Sequence, residues 1–129
     1  MKQIIYLLFF LLVYLPSYSQ HAFKGKVYAD VNQNGIIDKN EKGIANVAVS
    51  NGDDVVLTDQ NGMYTLPQRD ECIVFVIKPS NFDLPKDPYY HHKFFYIHKP
   101  QGSPSDLKYP GSKATGPIPQ SIDFGLIPS

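Results

Sequence analysis

Residues 30–41 carry acidic and amide side chains at alternating positions, a pattern that can gather oxygen atoms around one cation. Asp30, Asn32 and Asn34 offer side-chain oxygens at the first, third and fifth positions of this stretch. Gly35 follows at the sixth position, where a sharp bend is needed to bring those oxygens together. Hard cations such as Ca²⁺ take about six to eight oxygen ligands. The first half of the stretch therefore has the composition of a calcium loop.

The second half completes the ligand set. Ile36 would contribute its backbone carbonyl, Asp38 would reach the ion through water, and Glu41 would bind with both carboxylate oxygens. The spacing matches the calcium loop of EF-hands at each diagnostic position. Two alternatives stay open, an Asx-rich surface loop without metal and a site for another divalent ion. We predict a calcium site formed by Asp30, Asn32, Asn34, Ile36, Asp38 and Glu41.

The flanks of the loop differ from those of an EF-hand. Residues 23–29 alternate as a strand does, and residues 43–47 are poor helix formers. Without a helix pair to open and close, the ion cannot act as a sensor. We therefore expect a structural calcium ion that holds an interstrand loop, with a dissociation constant of roughly 0.1–1 mM, as in extracellular modules.

The amino terminus has the features of a secretory signal peptide. Lys2 precedes an apolar run of about 12 residues, too short to cross a bilayer, and Ser17 and Ser19 place small side chains before a cleavage point. A retained anchor is the alternative. We predict a signal peptide at residues 1–19, one domain at residues 20–129, and a periplasmic or extracellular location.

Composition excludes several classes of protein. The chain has 12 basic and 12 acidic residues without a basic cluster, which argues against binding to nucleic acid or, after signal cleavage, to membranes. Its single cysteine, Cys72, cannot form an internal disulfide and lies in an apolar run, so we interpret it as a core residue rather than a reactive thiol.

Short runs of β-branched and aromatic residues, separated by Gly, Pro, Asn and Asp, predict an all-β protein. We expect a small immunoglobulin-like or transthyretin-like sandwich of two sheets and about seven strands. Residues 72–77 should be a central strand buried on both faces. Residues 79–88 should form a loop, and the Gly/Pro/Ser-rich residues 101–119 a long connection. The predicted strands are residues 23–29, 45–50, 55–58, 64–66, 72–77, 93–98 and 121–127.

Histidines and aromatic residues are the remaining candidates for chemistry. His91 and His92 are adjacent and would point to opposite faces of a strand, so these two and His98 are predicted to be surface residues. Residues 89–96 concentrate aromatic side chains, which would pack in the core or against another domain, or would stack on sugar rings if exposed.

Two resemblances cover much of the chain. Four segments resemble the B-repeat domains of bacterial surface adhesins and carboxypeptidase-regulatory-like modules. They are residues 25–30, the loop at residues 30–41, residues 42–49 and residues 58–67. These families are small calcium-stabilised or transthyretin-like sandwiches, and the resemblance implies a spacer or binding module. It extends over roughly residues 25–78 and implies the same two-sheet fold as the strand pattern.

The carboxyl-terminal half is similar to the end of a domain that precedes calcineurin-like metallophosphoesterases in exported bacterial proteins. The similarity lies in residues 95–100, 102–104, 107–109 and 119–124. That family's catalytic domain uses Asp-x-His, Gly-Asp and Asn-His motifs to hold two metal ions. The only Gly-Asp here is Gly52-Asp53, in a predicted hairpin turn, and the other motifs are absent.

We therefore predict a non-catalytic accessory domain with no catalytic residues. A truncated reading frame and an accessory protein that occurs without its catalytic domain both fit the sequence. The partner would be a phosphoesterase catalytic domain or another protein. The alternative is a free-standing adhesive module that binds a glycan or a protein, and an enzyme in its own right ranks last.

Overall fold

A computed structural model describes residues 22–106 and 111–129. Within these residues the chain forms strands and no helix. The described residues therefore contain no helix that could cross a bilayer. The predicted signal peptide at residues 1–19 lies outside the described residues, and export stays a prediction. The strands are β1 (Ala22–Ala29), β2 (Ala48–Ser50), β3 (Val55–Leu57), β4 (Met63–Pro67), β5 (Cys72–Val76), β6 (Phe82–Asp83), β7 (Phe95–His98) and β8 (Phe124–Pro128).

The strands form two four-stranded sheets, which confirms the predicted all-β two-sheet sandwich. The first sheet has the order β4-β1-β8-β6 and the second β3-β2-β5-β7. Only β1 and β8 pair in parallel among the described strands, with Val27 opposite Phe124 and Ala29 opposite Leu126. Because β1 and β8 run the same way, the loop that leaves the end of β1 begins beside β8.

The core lies between the sheets and follows the alternation read from the sequence. Along β1, Phe23 and Val27 are fully buried, while Lys24 between them is exposed. A strand with one face on the core and one in water gives this pattern. The other buried apolar residues are Tyr28, Val47, Val49, Tyr64, Leu66, Val74, Val76, Ile122, Phe124 and Leu126.

Most predicted strands are present, but three expectations are wrong. Residues 79–88 contain a short strand, β6, because Phe82 and Asp83 pair with the end of β8. The strand predicted at residues 45–50 begins only at Ala48, since Asn46 adopts a positive φ of 59°. Strand β5 is central, yet it is buried on one face only, because Ile73 remains 48% exposed.

The second sheet consequently has an apolar outer face. Cross-strand pairing places Ile73 beside Ile97, and Val55, Ser50, Phe75 and Phe95 in one row across the sheet. The large apolar side chains of this face are between 38% and 62% exposed: Val55, Leu57, Ile73, Ile77, Phe95 and Ile97. A contiguous apolar surface of this kind is typical of contact with another domain or protein.

One buried hydrogen bond ties the core to the segment before β8. The Tyr64 hydroxyl donates to the carbonyl of Ile122 over 2.6 Å, and burial raises the Tyr64 pKa above its ordinary value of 10.0. The phenol thus stays a protonated donor in the folded protein when an unfolded tyrosine would ionise. The stability that it contributes is complete below about pH 10 and declines as the pH rises further.

Tyr64→Phe is expected to lower the free energy of unfolding by about 1–2 kcal/mol, because a buried carbonyl loses its donor. Urea denaturation at neutral pH measures the change. Tyr89→Phe is the matched control, since Tyr89 is 79% exposed, and should change stability by less than about 0.5 kcal/mol. Equal stability of both variants and the parent would refute a structural role for this hydroxyl.

Candidate metal centre

The loop at residues 30–41 is closed at its base by backbone hydrogen bonds. The amide of Ala29 donates to the carbonyl of Lys42 over 2.9 Å, and Tyr28 forms an antiparallel bridge with Gly43. The amide of Asp30 donates to the carbonyl of Leu126 over 2.8 Å. The two ends of the loop are therefore held together, and its first residue is fixed against β8.

Asp30 anchors the first half of the loop. Its side chain is 1% exposed, and its two carboxylate oxygens accept hydrogen bonds from the amides of Asn34 (3.2 Å) and Gly35 (2.9 Å). Gly35 has a φ of +73°, a backbone conformation that residues with a Cβ rarely adopt. The bend predicted at this glycine is confirmed.

Glu41 holds the second half. It is 9% exposed, and its carboxylate accepts hydrogen bonds from the amides of Val31 and Asp38, each over 3.1 Å. One side chain thus joins the start of the loop to its end. A bidentate carboxylate at this position performs the same closure when it binds an ion.

Asn32, Asn34 and Asp38 converge over the loop. The side-chain amide nitrogens of Asn32 and Asn34 donate to the same oxygen of Asp38, over 2.7 Å and 2.8 Å. Their side-chain oxygens accept backbone amides of Asn34 and Ile36 instead. A cation at this point would bind the side-chain amide oxygens of Asn32 and Asn34, so both side-chain amides would have to flip and exchange the positions of their oxygen and nitrogen atoms.

The predicted side-chain ligands line two neighbouring hollows that share Asn34. Asn32, Asn34, Asp38 and Glu41 line one open depression, whereas Asp30 lines a groove together with Asn34. The side chain of Ile36 is 64% exposed and offers only its backbone to a metal. In the described part of the chain, no three His, Cys, Asp or Glu side chains converge as metal ligands do.

The charges of the loop nevertheless fit a cation. Within residues 22–106 and 111–129, no Lys, Arg or His forms an ion pair with Asp30, Asp38 or Glu41. Buried carboxylates without a cationic partner are unfavourable unless a counter-ion is supplied. The donor set consists entirely of oxygen, which hard cations such as Ca²⁺ prefer.

Tyr28 lies near these acids, and its pKa is raised. Burial, followed by the charges of Asp30, Glu41, Asp123 and Asp38, raises the pKa of Tyr28 to about 12. Sequence reasoning missed Tyr28 and Asp123 as neighbours of the loop. Asp123 is far from the loop in sequence and reaches it through the parallel pairing of β1 with β8, for which the sequence pattern carries no signal.

The other candidates for chemistry behave as structural residues. Cys72 packs against the core, where burial raises its pKa and the charge of Arg69 lowers it by less. Asp53 lies in the β2–β3 turn and pairs with Arg69 over 2.7 Å. His91 and His92 are exposed, as predicted, but the expectation for His98 is wrong, because it is 2% exposed.

His98 is buried because its ring packs edge-on against Phe23, with 5.2 Å between the ring centroids. It also stacks near Tyr96 on β7. Its Nδ1 atom has no hydrogen-bond partner among the described residues. A single buried imidazole without a second ligand does not make a metal site.

The comparisons with known proteins agree with the second resemblance. Residues 31–113 match the family model of the N-terminal domain of calcineurin-like phosphoesterases. The chain belongs to this N-terminal domain family. The match begins inside the calcium-type loop and extends past β7, so it covers most of the sandwich. The family is described as the N-terminal part of calcineurin-like phosphoesterases.

Two other proteins are similar over part of their length. Colossin-A of Dictyostelium discoideum is 42% identical over 61 residues, a match that spans 45% of this chain and 0%, to the nearest whole number, of Colossin-A. The crystal structure of the major plantain pollen allergen Pla l 1 aligns with 84% of this chain and 94% of the allergen, at 16% identity and a TM-score of 0.47.

Proposed function

We propose that this chain is the non-catalytic accessory domain of an exported calcineurin-like phosphoesterase, working in the periplasm or outside the cell. The observation that carries the proposal is the family match over residues 31–113. The sequence supports it further, since the catalytic motifs of the phosphoesterases are missing and a signal-peptide pattern precedes the domain.

Calcium has a structural role in this proposal. Asp30, Asn32 and Asn34 would bind the ion directly and Asp38 through water, together with the Ile36 carbonyl and both oxygens of Glu41. The bound ion would supply positive charge to three carboxylates and connect the end of β1 to the segment that leads into β2. Two of those carboxylates, Asp30 and Glu41, are buried, which supports a role in holding the fold.

The apolar outer face of the β3-β2-β5-β7 sheet is the surface on which the phosphoesterase catalytic domain would pack. Six large apolar side chains are exposed on this face, and a domain named for its place before a catalytic domain needs a contact surface of this kind. Buried cores of such interfaces are depleted in charged residues.

The proposal is tested by mixing the purified chain with a calcineurin-like phosphoesterase catalytic domain from the same genome. We expect association in sedimentation velocity, and we expect Ile73→Asp with Leu57→Asp to weaken it at least tenfold, since a buried charge at an interface costs about 1.4 kcal/mol or more. Both side chains are about half exposed, so the free domain should remain folded.

Met63→Asp is the matched control, because Met63 is 44% exposed on the first sheet and should leave association unchanged. The chain alone should not hydrolyse bis(p-nitrophenyl) phosphate with added Mn²⁺. Lack of association would contradict the accessory role, and turnover that persists through stringent purification would contradict its non-catalytic character.

A free-standing module that binds a glycan or a protein is the second candidate function. Tyr89 and Tyr90 favour it, since they are 79% and 80% exposed, and exposed aromatic rings commonly stack on sugars or partner side chains. A domain that fails to associate with any phosphoesterase but binds on a glycan array would support this second function.

A further inference from the structure

A groove of about 520 Å³ lies beside the calcium-type loop and shares Asn34 with the Asp38 depression. Residues from the first half of the loop form part of its lining. Lys86 and Lys93 also line the groove, together with Tyr96 of β7 and Asp123, which directly precedes β8. Its size is within the range of about 300–1,000 Å³ that small-molecule sites occupy.

The phenol of Tyr28 adds a polar group to the lining of the groove. The residue is 2% exposed, yet it lines the groove, and its hydroxyl has no hydrogen-bond partner among the described residues. Gly125 keeps this hydroxyl accessible, since a Cβ at that position would come within 2.9 Å of the Tyr28 oxygen. The Tyr28 hydroxyl is not among the fully buried unpaired side-chain atoms of the described residues, so a ligand in the groove can reach it.

The charged residues of the groove have opposite signs. Lys86 and Lys93 are exposed, and neither forms an ion pair with a carboxylate in the described part of the chain. One oxygen of Asp123 accepts hydrogen bonds from the amide of Lys26 (2.8 Å) and the hydroxyl of Ser121 (2.6 Å). Its other oxygen has no hydrogen bond to a described residue and can accept one from a ligand.

We propose that this groove binds a sugar that carries one anionic group, either a carboxylate or a phosphate. The two lysines bind the anionic group, because unpaired ammonium groups form strong charge-assisted hydrogen bonds with such oxygens. Asp123 and the Tyr28 hydroxyl hydrogen-bond the sugar hydroxyls, and the half-buried ring of Tyr96 packs against the sugar ring. This activity is separate from docking, since Ile73 and Leu57 do not line the groove.

The test is an NMR titration of the full chain in calcium-containing buffer with glucuronate, glucose 6-phosphate, glucose and inorganic phosphate as separate probes. We expect a dissociation constant on the order of 1 mM for at least one acidic sugar, as is typical of a ligand this small. Binding of glucuronate alone assigns a carboxylate sugar, and binding of glucose 6-phosphate alone assigns a phosphosugar.

Lys86→Ala with Lys93→Ala should weaken that binding about tenfold or more, and Tyr28→Phe should weaken it about fivefold, since each variant removes hydrogen bonds to the ligand. Lys24→Ala is the matched control, as Lys24 is exposed and outside the groove. The proposal is overturned if no acidic sugar binds, if glucose or inorganic phosphate binds equally well, or if the double lysine variant binds like the parent.

Discussion

Addition of about 10 mM calcium to the metal-free protein is expected to raise its melting temperature by roughly 6–22 °C. A ligand that binds only the folded state at a dissociation constant of about 0.1–1 mM adds about 1.4–2.7 kcal/mol at this concentration. For a domain of this size, each kcal/mol shifts the melting temperature by roughly 4–8 °C. Differential scanning fluorimetry with calcium or with a chelator measures the shift.

Asp30→Ala with Glu41→Ala should abolish the calcium-dependent shift, because the variant lacks both buried carboxylates of the loop. The shift is the readout rather than the melting temperature itself, since the loss of their hydrogen bonds to backbone amides also destabilises the metal-free protein. Asp106→Ala removes an exposed acid outside the loop and should keep the full shift. A parent protein that melts at the same temperature with calcium and with chelator would exclude the structural ion.

Gly25→Ala is expected to be among the most destabilising single changes in the chain. A Cβ at Gly25 would occupy the space of the Ile122 carbonyl, which is the acceptor of the Tyr64 hydroxyl. The backbone of β1 approaches this segment closely, and the amide of Ile122 donates to the carbonyl of Lys24 over 2.8 Å. Separating two backbones that approach this closely should cost about 3 kcal/mol or more in the free energy of unfolding.

Gly116→Ala provides the control for this change. Gly116 has a φ of +72° but nothing within 4 Å of an added Cβ, so the substitution should cost only the conformational penalty of about 1–2 kcal/mol. Soluble yield and urea denaturation compare the two variants. If Gly25→Ala is as stable as Gly116→Ala, the close approach of β1 to residue 122 does not support the fold.

The features that depend on residues close together in sequence were predictable. The alternation along β1 identified its buried face, and the turn predicted at Gly52-Asp53 identified the β2–β3 hairpin, in which Gly52 has a φ of +99°. The calcium-type loop is also a local motif, because all its oxygen donors lie within residues 30–41. Local spacing was therefore enough to predict the ligands, and calcium binding by them stays a prediction.

The features that depend on distant pairing were not predictable. Strand β6 exists only because Phe82 and Asp83 meet the end of β8. His98 is buried because β7 brings its ring against Phe23. The polarity of histidine alone had predicted a surface position. The outer face of β5 carries apolar side chains that a sequence pattern cannot distinguish from buried ones.

The same limit applies to the groove. Tyr28, Lys86 and Asp123 belong to different parts of the chain, and the sheets bring them together. The loop and the groove share four residues, Asp30, Gln33, Asn34 and Gly35, and two of these, Asp30 and Asn34, are predicted ligands that an ion would fix in the groove wall. An assay of sugar binding therefore needs calcium present throughout.

Calcium binding by the loop is tested most directly by following the backbone amides in a calcium titration by NMR. We expect the signals of Gly35, Ile36 and Asp38 to move and saturate at one ion per chain, with a dissociation constant of roughly 0.1–1 mM. The Asp30→Ala, Glu41→Ala variant should show no such change. Signals that do not move, or that move equally in the variant, would contradict a calcium ion held by residues 30–41.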